Sequence, residues 1–372
     1  MNRQTISLGR IFGIPLRIDF SWFLIFALVT WTLATGYFPN EFKNWSTAVY
    51  WTDGVITAFV FFASVLLHEL GHSLVALRYK IPVRGITLYI FGGASEITSE
   101  PTSPLSDFWI TLSGPIVSFA LAGIFALLTM VVTGFDLILA PVKYLAYINL
   151  LLGLFNMIPG YPLDGGTVLM SIIWGVTHNK HWAVLISASI GSFFAYVLIL
   201  LGAYQALSGS LMNGLWIAFI GWFILNASGS EVRRERLKGV LSGHKVSEAM
   251  SLAYTIVYAD TTLQYLVDEH ILGSGRRFFI IKKDEQMIGL LTLHHLQNVP
   301  REKWPTTTVN EVMIPIPQLK QIGPDTEIWQ AIQEMDRDGV NQLPVMKDGQ
   351  IHGMLTREDV ISFLRKPRVA GA

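Results

Sequence analysis

The chain has 372 residues, of which 51% are hydrophobic and only 15% charged, where an ordinary soluble domain carries about 25% charged residues. Its 27 Lys and Arg balance 27 Asp and Glu, which excludes the strongly basic footprint of a nucleic-acid-binding protein. There is no cysteine, so disulfides and thiolate metal ligands are excluded as well.

The N-terminal stretch carries Arg3, Arg10 and Arg17 but no short apolar core ending at a small-residue cleavage site, and it does not read as a signal peptide. A spanning helix needs about 20 mainly apolar residues. Five segments qualify directly: about 18–36, 54–77, 108–133, 182–207 and 211–228. A sixth, about 141–175, is interrupted by Pro159, Gly160 and Pro162. It is expected as one span broken into two half-helices, because proline removes a backbone donor and clashes with the preceding turn. Broken backbone at membrane depth persists only beside protein or water, so the break marks a site. Trp22, Trp51, Trp109 and Trp182, near span ends, are expected as interface anchors.

Six spans put the N-terminus, the 78–107 loop, the 177–181 loop and the C-terminal part on one side. That side carries Arg3, Arg10, Arg17, Arg78, Lys80, Arg84, Lys180, Arg233, Arg234, Arg236 and Lys238. The other carries Lys43 and Lys143. The asymmetry predicts a multi-pass protein of the cell membrane with both termini cytoplasmic.

Within the 78–107 loop, Val83 to Ile90 is rich in β-branched and aromatic residues and is followed by Gly92, Gly93 and the run Ala94 to Ile97. This predicts a cytoplasmic-side β-hairpin turning at the glycines. Its strand edge could pair with an unwound substrate, or the hairpin could merely plug the opening. Residues 231–243 form a charged linker. Beyond it an internal repeat recurs at an offset near 64: Val246–Met250 answers Val309–Met313, Asp260 answers Asp325, and Gly289–Thr292 answers Gly353–Thr356. Each copy reads as strand, helix, strand, strand, helix.

The second span contains His68-Glu69-Leu70-Gly71-His72. Residues four apart share a helix face, so both imidazoles can reach one metal ion. Glu69 lies about 60° around the axis from His72 at ~100° per residue. That is too far off the face for a third ligand but suits a base that takes a proton from the attacking water. Ionisable groups in an apolar span persist only when partnered and turned inward. Asp164, at the broken span, is the candidate third ligand. Alternatively it is the N-cap of the second half-helix. His178, His181, His294 and His295 are expected to be solvated, and Asp107 to sit at a span edge.

Residues 1–230 resemble the site-2 protease family of intramembrane zinc metalloproteases. The resemblance rests on His68-Glu69-Leu70-Gly71-His72 followed by Asn156-Met157-Ile158-Pro159 and Leu163-Asp164-Gly165-Gly166. The Phe91-Gly92-Gly93 turn and Gly114-Pro115 in the third span also match. The family often has Arg after the two glycines, where this chain has Thr167. The resemblance implies that His68, His72 and Asp164 bind one Zn2+ per chain. It implies Glu69 as general base and Asn156 as a residue that helps hold the substrate strand. Membrane-anchored proteins cleaved within or near their transmembrane segments would be the substrates.

The repeat resembles a tandem pair of CBS (cystathionine-β-synthase-type) domains, about 244–300 and 305–366. In that family a Gly-x-x-Thr/Ser-x-x-Asp signature contacts an adenosine ribose. The second copy keeps it in Gly353, Thr356 and Asp359, while the first has His295 in place of the Asp. The resemblance implies an adenine nucleotide (ATP, ADP or AMP) as ligand and a homodimer through the CBS domains. A purely structural module without ligand is the alternative.

The expected fold is thus a multi-pass α-helical membrane domain of six spans, one broken, with the hairpin, followed by an α/β tandem CBS module. The expected function is zinc-dependent intramembrane proteolysis modulated by nucleotide. The alternative from another class is a CBS-regulated metal or ion transporter. A transport path should line several spans with polar groups, yet here they concentrate on two.

Overall fold

The computed structural model describes residues 5–271 and 278–365, with the side chain of His294 outside the description. Arg3 and residue 366, the last of the second repeat, therefore lie outside the described residues. The chain divides into two compact units, Met1–Glu235 and Arg236–Ala372.

In the first unit, β1 (Thr5–Ile11) and β2 (Ile14–Asp19) form a hairpin turning at Phe12 and Gly13. The helix α1 (Ser21–Glu41) follows, with a π-helical stretch at Leu33–Tyr37. Then comes α2 (Thr47–Arg78), started by Ser46, whose hydroxyl accepts from the Val49 N–H at 3.4 Å. Its 32 residues extend about 48 Å at 1.5 Å per residue, more than a bilayer core of about 30 Å. The strands β3 (Val83–Tyr89) and β4 (Gly92–Ile97) make the expected glycine hairpin. The helix α3 (Pro104–Val131) opens with a Ser103 cap and proline in its first turn, where a missing N–H is harmless. After it come α4 (Asp136–Asn156), α5 (Asp164–Thr177), α6 (Lys180–Leu207) and α7 (Leu211–Leu241).

Six helices of the described residues are long and apolar enough to cross a membrane: α1, α2, α3, α4, α6 and α7. The expected break falls at residues 157–163, but the halves are unequal. α4 has 21 residues, enough to span by itself, whereas α5 has 14. Within the charged linker, residues 231–241 are helical and continue α7.

The hairpin is half of a larger sheet in the order β1-β2-β3-β4, with β2 and β3 parallel and the other pairs antiparallel. β2 thus occupies one edge of β3, and β4 keeps the outer edge. Ile14, Leu16 and Ile86 pack the sheet against Leu70 of α2. Trp22 is core rather than an interface anchor: it is 8% exposed, stacks on Phe26 at 4.9 Å and meets Phe62 edge-on at 5.2 Å. Trp51, Trp109 and Trp182 are exposed as expected. Two sets of ion pairs mark the ends of the bundle. Glu100 meets Lys180 (2.9 Å) and Arg234 (3.4 Å) at one end. Lys143 meets Glu41 (3.2 Å) at the other.

The second unit carries the repeat. Its first copy has β5 (Ile256–Tyr258), β6 (Phe278–Lys283), β7 (Gln286–Thr292) and α8 (Leu293–Gln297). With β8 (Ile314–Pro315) these strands form the sheet β5-β6-β7-β8. The second copy has α9 (Ile328–Asp338), an antiparallel pair β9 (Gln342–Lys347) and β10 (Gln350–Thr356), and α10 (Arg357–Arg365). Its expected first strand is reduced to a single bridge from Ile322 to Val345. Each copy has its own apolar core, around Phe279 and Leu291 in the first and Ile328, Leu343 and Leu355 in the second.

Candidate metal centre

The helices α2 and α3 run antiparallel with two periodic faces in contact. His68 and His72 are one turn apart on α2; Ile110, Gly114 and Ser118 are one turn apart on α3. His72 Nδ1 lies 2.8 Å from the Ile110 carbonyl oxygen, and His68 Nδ1 lies 2.9 Å from Ser118 Oγ. A carbonyl only accepts, so His72 carries a proton on Nδ1, and in the neutral ring Nε2 is then the nitrogen with the lone pair. The Ser118 hydroxyl can hold His68 in the same tautomer. Both rings are thereby aimed with Nε2 inward, in the way that outer partners orient metal-binding histidines. Both are buried, at 4% and 8% exposure.

Gly114 stands where the rings converge. A Cβ there would collide with His72 Nε2 and come within 2.8 Å of His68 Nε2. The missing side chain leaves a hollow bounded by two lone pairs.

Asp164, the first residue of α5, closes the hollow. Asp164 is not the N-cap: Leu163 occupies that position and no side chain caps the helix. The Asp164 carboxylate instead reaches across to α2, with Oδ2 at 3.1 Å from His68 Nε2 and 3.5 Å from His72 Nε2. The two Nε2 atoms are 3.2 Å apart. His68, His72 and Asp164 each offer one donor atom, all within 4.8 Å of one another. Donors around tetrahedral zinc, with bonds of about 2.0–2.1 Å, stand about 3.3 Å apart. The trio fits that spacing. A cation between the carboxylate and the two imidazole nitrogens would offset the cost of burying that carboxylate in an apolar interior.

Glu69 is half-buried on the neighbouring face and does not join the trio. It lies under β4: a Cβ on Gly93 would run into its Cγ and sit 3.1 Å from Oε1. The base candidate and the free strand edge are therefore adjacent. Asn156 ends α4, and its Nδ2 donates back to the Leu152 carbonyl at 3.0 Å. It is not part of the donor cluster. Asp107 is buried rather than at an open edge, accepting from Ser171 Oγ at 3.0 Å. His181 is not simply solvated, since its Nδ1 is 3.2 Å from Glu235 Oε1; His178 is exposed as expected.

In the second unit Thr356 and Asp359 form a reciprocal cap on α10. The Thr356 N–H and hydroxyl donate to Asp359 Oδ2 at 2.9 and 2.7 Å, and the Asp359 N–H donates to Thr356 Oγ1 at 3.0 Å. His295 takes the same place in the first copy, with Nδ1 at 3.0 Å from Thr292 Oγ1. It is a capping residue rather than a solvated one. Thr292, His295, Thr356 and Asp359 all line a cleft of about 1270 Å³ between the two copies of the repeat.

The arrangement is that of a membrane-embedded metallopeptidase. The sequence pattern of peptidase family M50 matches residues 56–140 and 135–201, and that of the CBS domain matches residues 309–366. A Synechocystis sp. protein named for zinc metalloprotease activity is 35% identical over 368 residues, covering 97% of this chain and 96% of the relative. A Mycobacterium tuberculosis protein named likewise is 31% identical over 373 residues, covering 99% and 95%. Among solved structures, a site-2 protease from Methanocaldococcus jannaschii aligns at 27% identity with a TM-score of 0.43, covering 62% of this chain and 95% of that one. The chain belongs to peptidase family M50, the site-2 protease type of zinc metalloprotease, and carries a C-terminal CBS domain over residues 309–366.

Proposed function

We propose that the protein hydrolyses peptide bonds within or near the transmembrane segments of membrane-anchored proteins, using one Zn2+ held by His68, His72 and Asp164. The convergence of those three donor atoms at 3.1–3.5 Å, with both imidazoles aimed by α3, carries the reading. Zinc held by these residues would supply Lewis acidity, which brings the pKa of water to about 7 and polarises a carbonyl. Glu69 accepts the proton that water releases as its oxygen attacks the carbonyl carbon. The same carboxyl then gives that proton to the departing amine as the C–N bond breaks.

A transmembrane substrate must unwind locally before a peptide bond is accessible, because its backbone is otherwise bonded within its own helix. The outer edge of β4, next to Glu69, can pair with the unwound strand. Asn156 helps hold that strand; its amide is oriented by Leu152. The metal centre lies on α2 some ten residues, about 15 Å, from the helix end at Arg78, and water enters from that side. The basic residues at that end, where Glu100 joins Lys180 and Arg234, support reading it as the cytoplasmic side, with both termini there.

The domain assignment is a protease domain over 1–230, a connecting segment over 231–243, and CBS repeats over 244–300 and 305–366. The cleft between the repeats takes an adenine nucleotide, with Thr356 and Asp359 at the ribose, and its occupancy modulates proteolysis. The CBS pair also mediates homodimerisation. The experiment for the protease reading is Glu69→Gln. The variant should retain zinc but lose cleavage of a panel of single-span substrates. Parental cleavage by Glu69→Gln would refute the assigned base.

A further inference from the structure

The third donor sits on a stretch of chain rich in proline and glycine. Pro159, Gly160 and Pro162 stand between α4 and α5, and Gly165 and Gly166 lie in the first turn of α5. The prolines lack N–H donors and the glycines lack side chains to pack. Local turns close within the segment, the Gly160 N–H on the Ile158 carbonyl at 2.8 Å and the Leu163 N–H on the Gly160 carbonyl at 3.1 Å, and its ties to the bundle come from two serines. Ser187 on α6, 1% exposed, donates to the Gly166 carbonyl at 2.6 Å, two residues after Asp164. Ser228 on α7, 0% exposed, donates to the Tyr161 carbonyl, three residues before it. The Tyr161 N–H returns to the Ser187 carbonyl at 3.3 Å, and the Tyr161 hydroxyl donates to Glu231 Oε2 at 3.3 Å.

We propose that Ser187 and Ser228 are positioning residues for the metal centre: their hydroxyls pin the backbone on both sides of Asp164 and so keep its carboxylate in register with His68 and His72. The inference rests on the reading of Asp164 as a zinc ligand. A ligand constellation must be held within about 0.5 Å to function. α2 and α3 supply that rigidity for the histidines, and α6 and α7 supply it for the carboxylate. Without the Ser228 hydroxyl the Tyr161 carbonyl is short of a donor in an apolar interior; without the Ser187 hydroxyl the Gly166 carbonyl keeps its place in the hydrogen-bond ladder of α5 but loses its tie to α6. In either case the segment is released on one side of Asp164 and can carry its carboxylate out of register.

The test is zinc affinity of the full-length protein in detergent, measured by competition with a chelator, for Ser187→Ala, Ser228→Ala, Ser228→Thr and Asp164→Ala. Each Ser→Ala change should weaken zinc by about tenfold, as loss of an outer partner of a metal ligand does, while Ser228→Thr, which keeps the hydroxyl, stays near the parent. The Tm of the zinc-free protein should fall far less than the zinc affinity implies. Parental affinity in both Ser→Ala variants, with zinc lost in Asp164→Ala, overturns the serine assignment and leaves the ligand assignment standing. Parental affinity in Asp164→Ala removes the ligand assignment and the inference together. A zinc loss that only follows a fall in the zinc-free Tm reduces the serines to packing contacts and also overturns the proposal.

Discussion

Gly114→Ala separates the metal centre from the fold that surrounds it. The added methyl carbon would stand 2.8 Å from His68 Nε2 and closer still to His72 Nε2. A zinc ion needs both nitrogens at about 2.0–2.1 Å, so the methyl and the ion cannot share the hollow. Two effects on the apo-fold oppose one another. Alanine favours a helix over glycine by about 1 kcal/mol, whereas overpacking costs about 1–3 kcal/mol. The zinc-free protein should therefore lose no more than about 2 kcal/mol by these two terms. In the parent, a saturating ligand at 100 times its Kd adds about 2.7 kcal/mol, visible as a Tm increase that a chelator abolishes. Gly114→Ala should purify without stoichiometric zinc and show no chelator-dependent Tm change. One zinc per chain in Gly114→Ala, with the parental chelator response, would refute the assigned geometry of α3 against α2.

Glu69→Gln should lower cleavage by at least about 10²-fold, the scale of a general base, with zinc content unchanged by metal analysis. Gly93→Ala pushes a methyl against the Glu69 carboxylate; it should lower kcat without releasing zinc, and unchanged kcat would mean that β4 can yield there. Asp359→Ala should weaken AMP binding in titration calorimetry on the full-length protein and cost α10 about 1 kcal/mol of cap stability; no heat with the parent ends the nucleotide reading. The Thr308 N–H and hydroxyl hold the Glu311 carboxyl below the usual glutamate range. The stability that cap contributes is present above the unfolded pKa and is lost as pH falls through the lower folded value. The Tm difference between the parent and Glu311→Gln should thus vanish on acidification, and a difference that persists would contradict the cap.

What was legible in the sequence was local. His68, Glu69 and His72 sit within five residues of one helix, so a four-residue spacing was enough to place both rings on one face. Asp164 was legible because prolines announce a break and a break at membrane depth implies a site. The partners that aim the rings were not. The Ile110 carbonyl is backbone and carries no side-chain signal, and Ser118 reads as an ordinary small residue in an apolar helix. The four-residue spacing of Ile110, Gly114 and Ser118 was the available hint. β1 and β2 escaped because their place depends on β2 pairing with β3 some 70 residues on (Leu16 with Ile86), a contact no local window contains. Trp22 looked like an interface anchor because a tryptophan at a span end usually is one; only packing against Phe26 and Phe62 puts it inside. The charged run 231–241 continues α7 because it contains no proline and, beyond Gly239, no weak helix former of glycine's kind.

The most direct measurement is zinc K-edge X-ray absorption on the untagged, purified protein. The predicted spectrum has two imidazole nitrogens and carboxylate oxygen at about 2.0–2.1 Å, and it changes on Asp164→Ala. A spectrum with no imidazole scattering, or one identical in Asp164→Ala, would contradict the proposed metal centre.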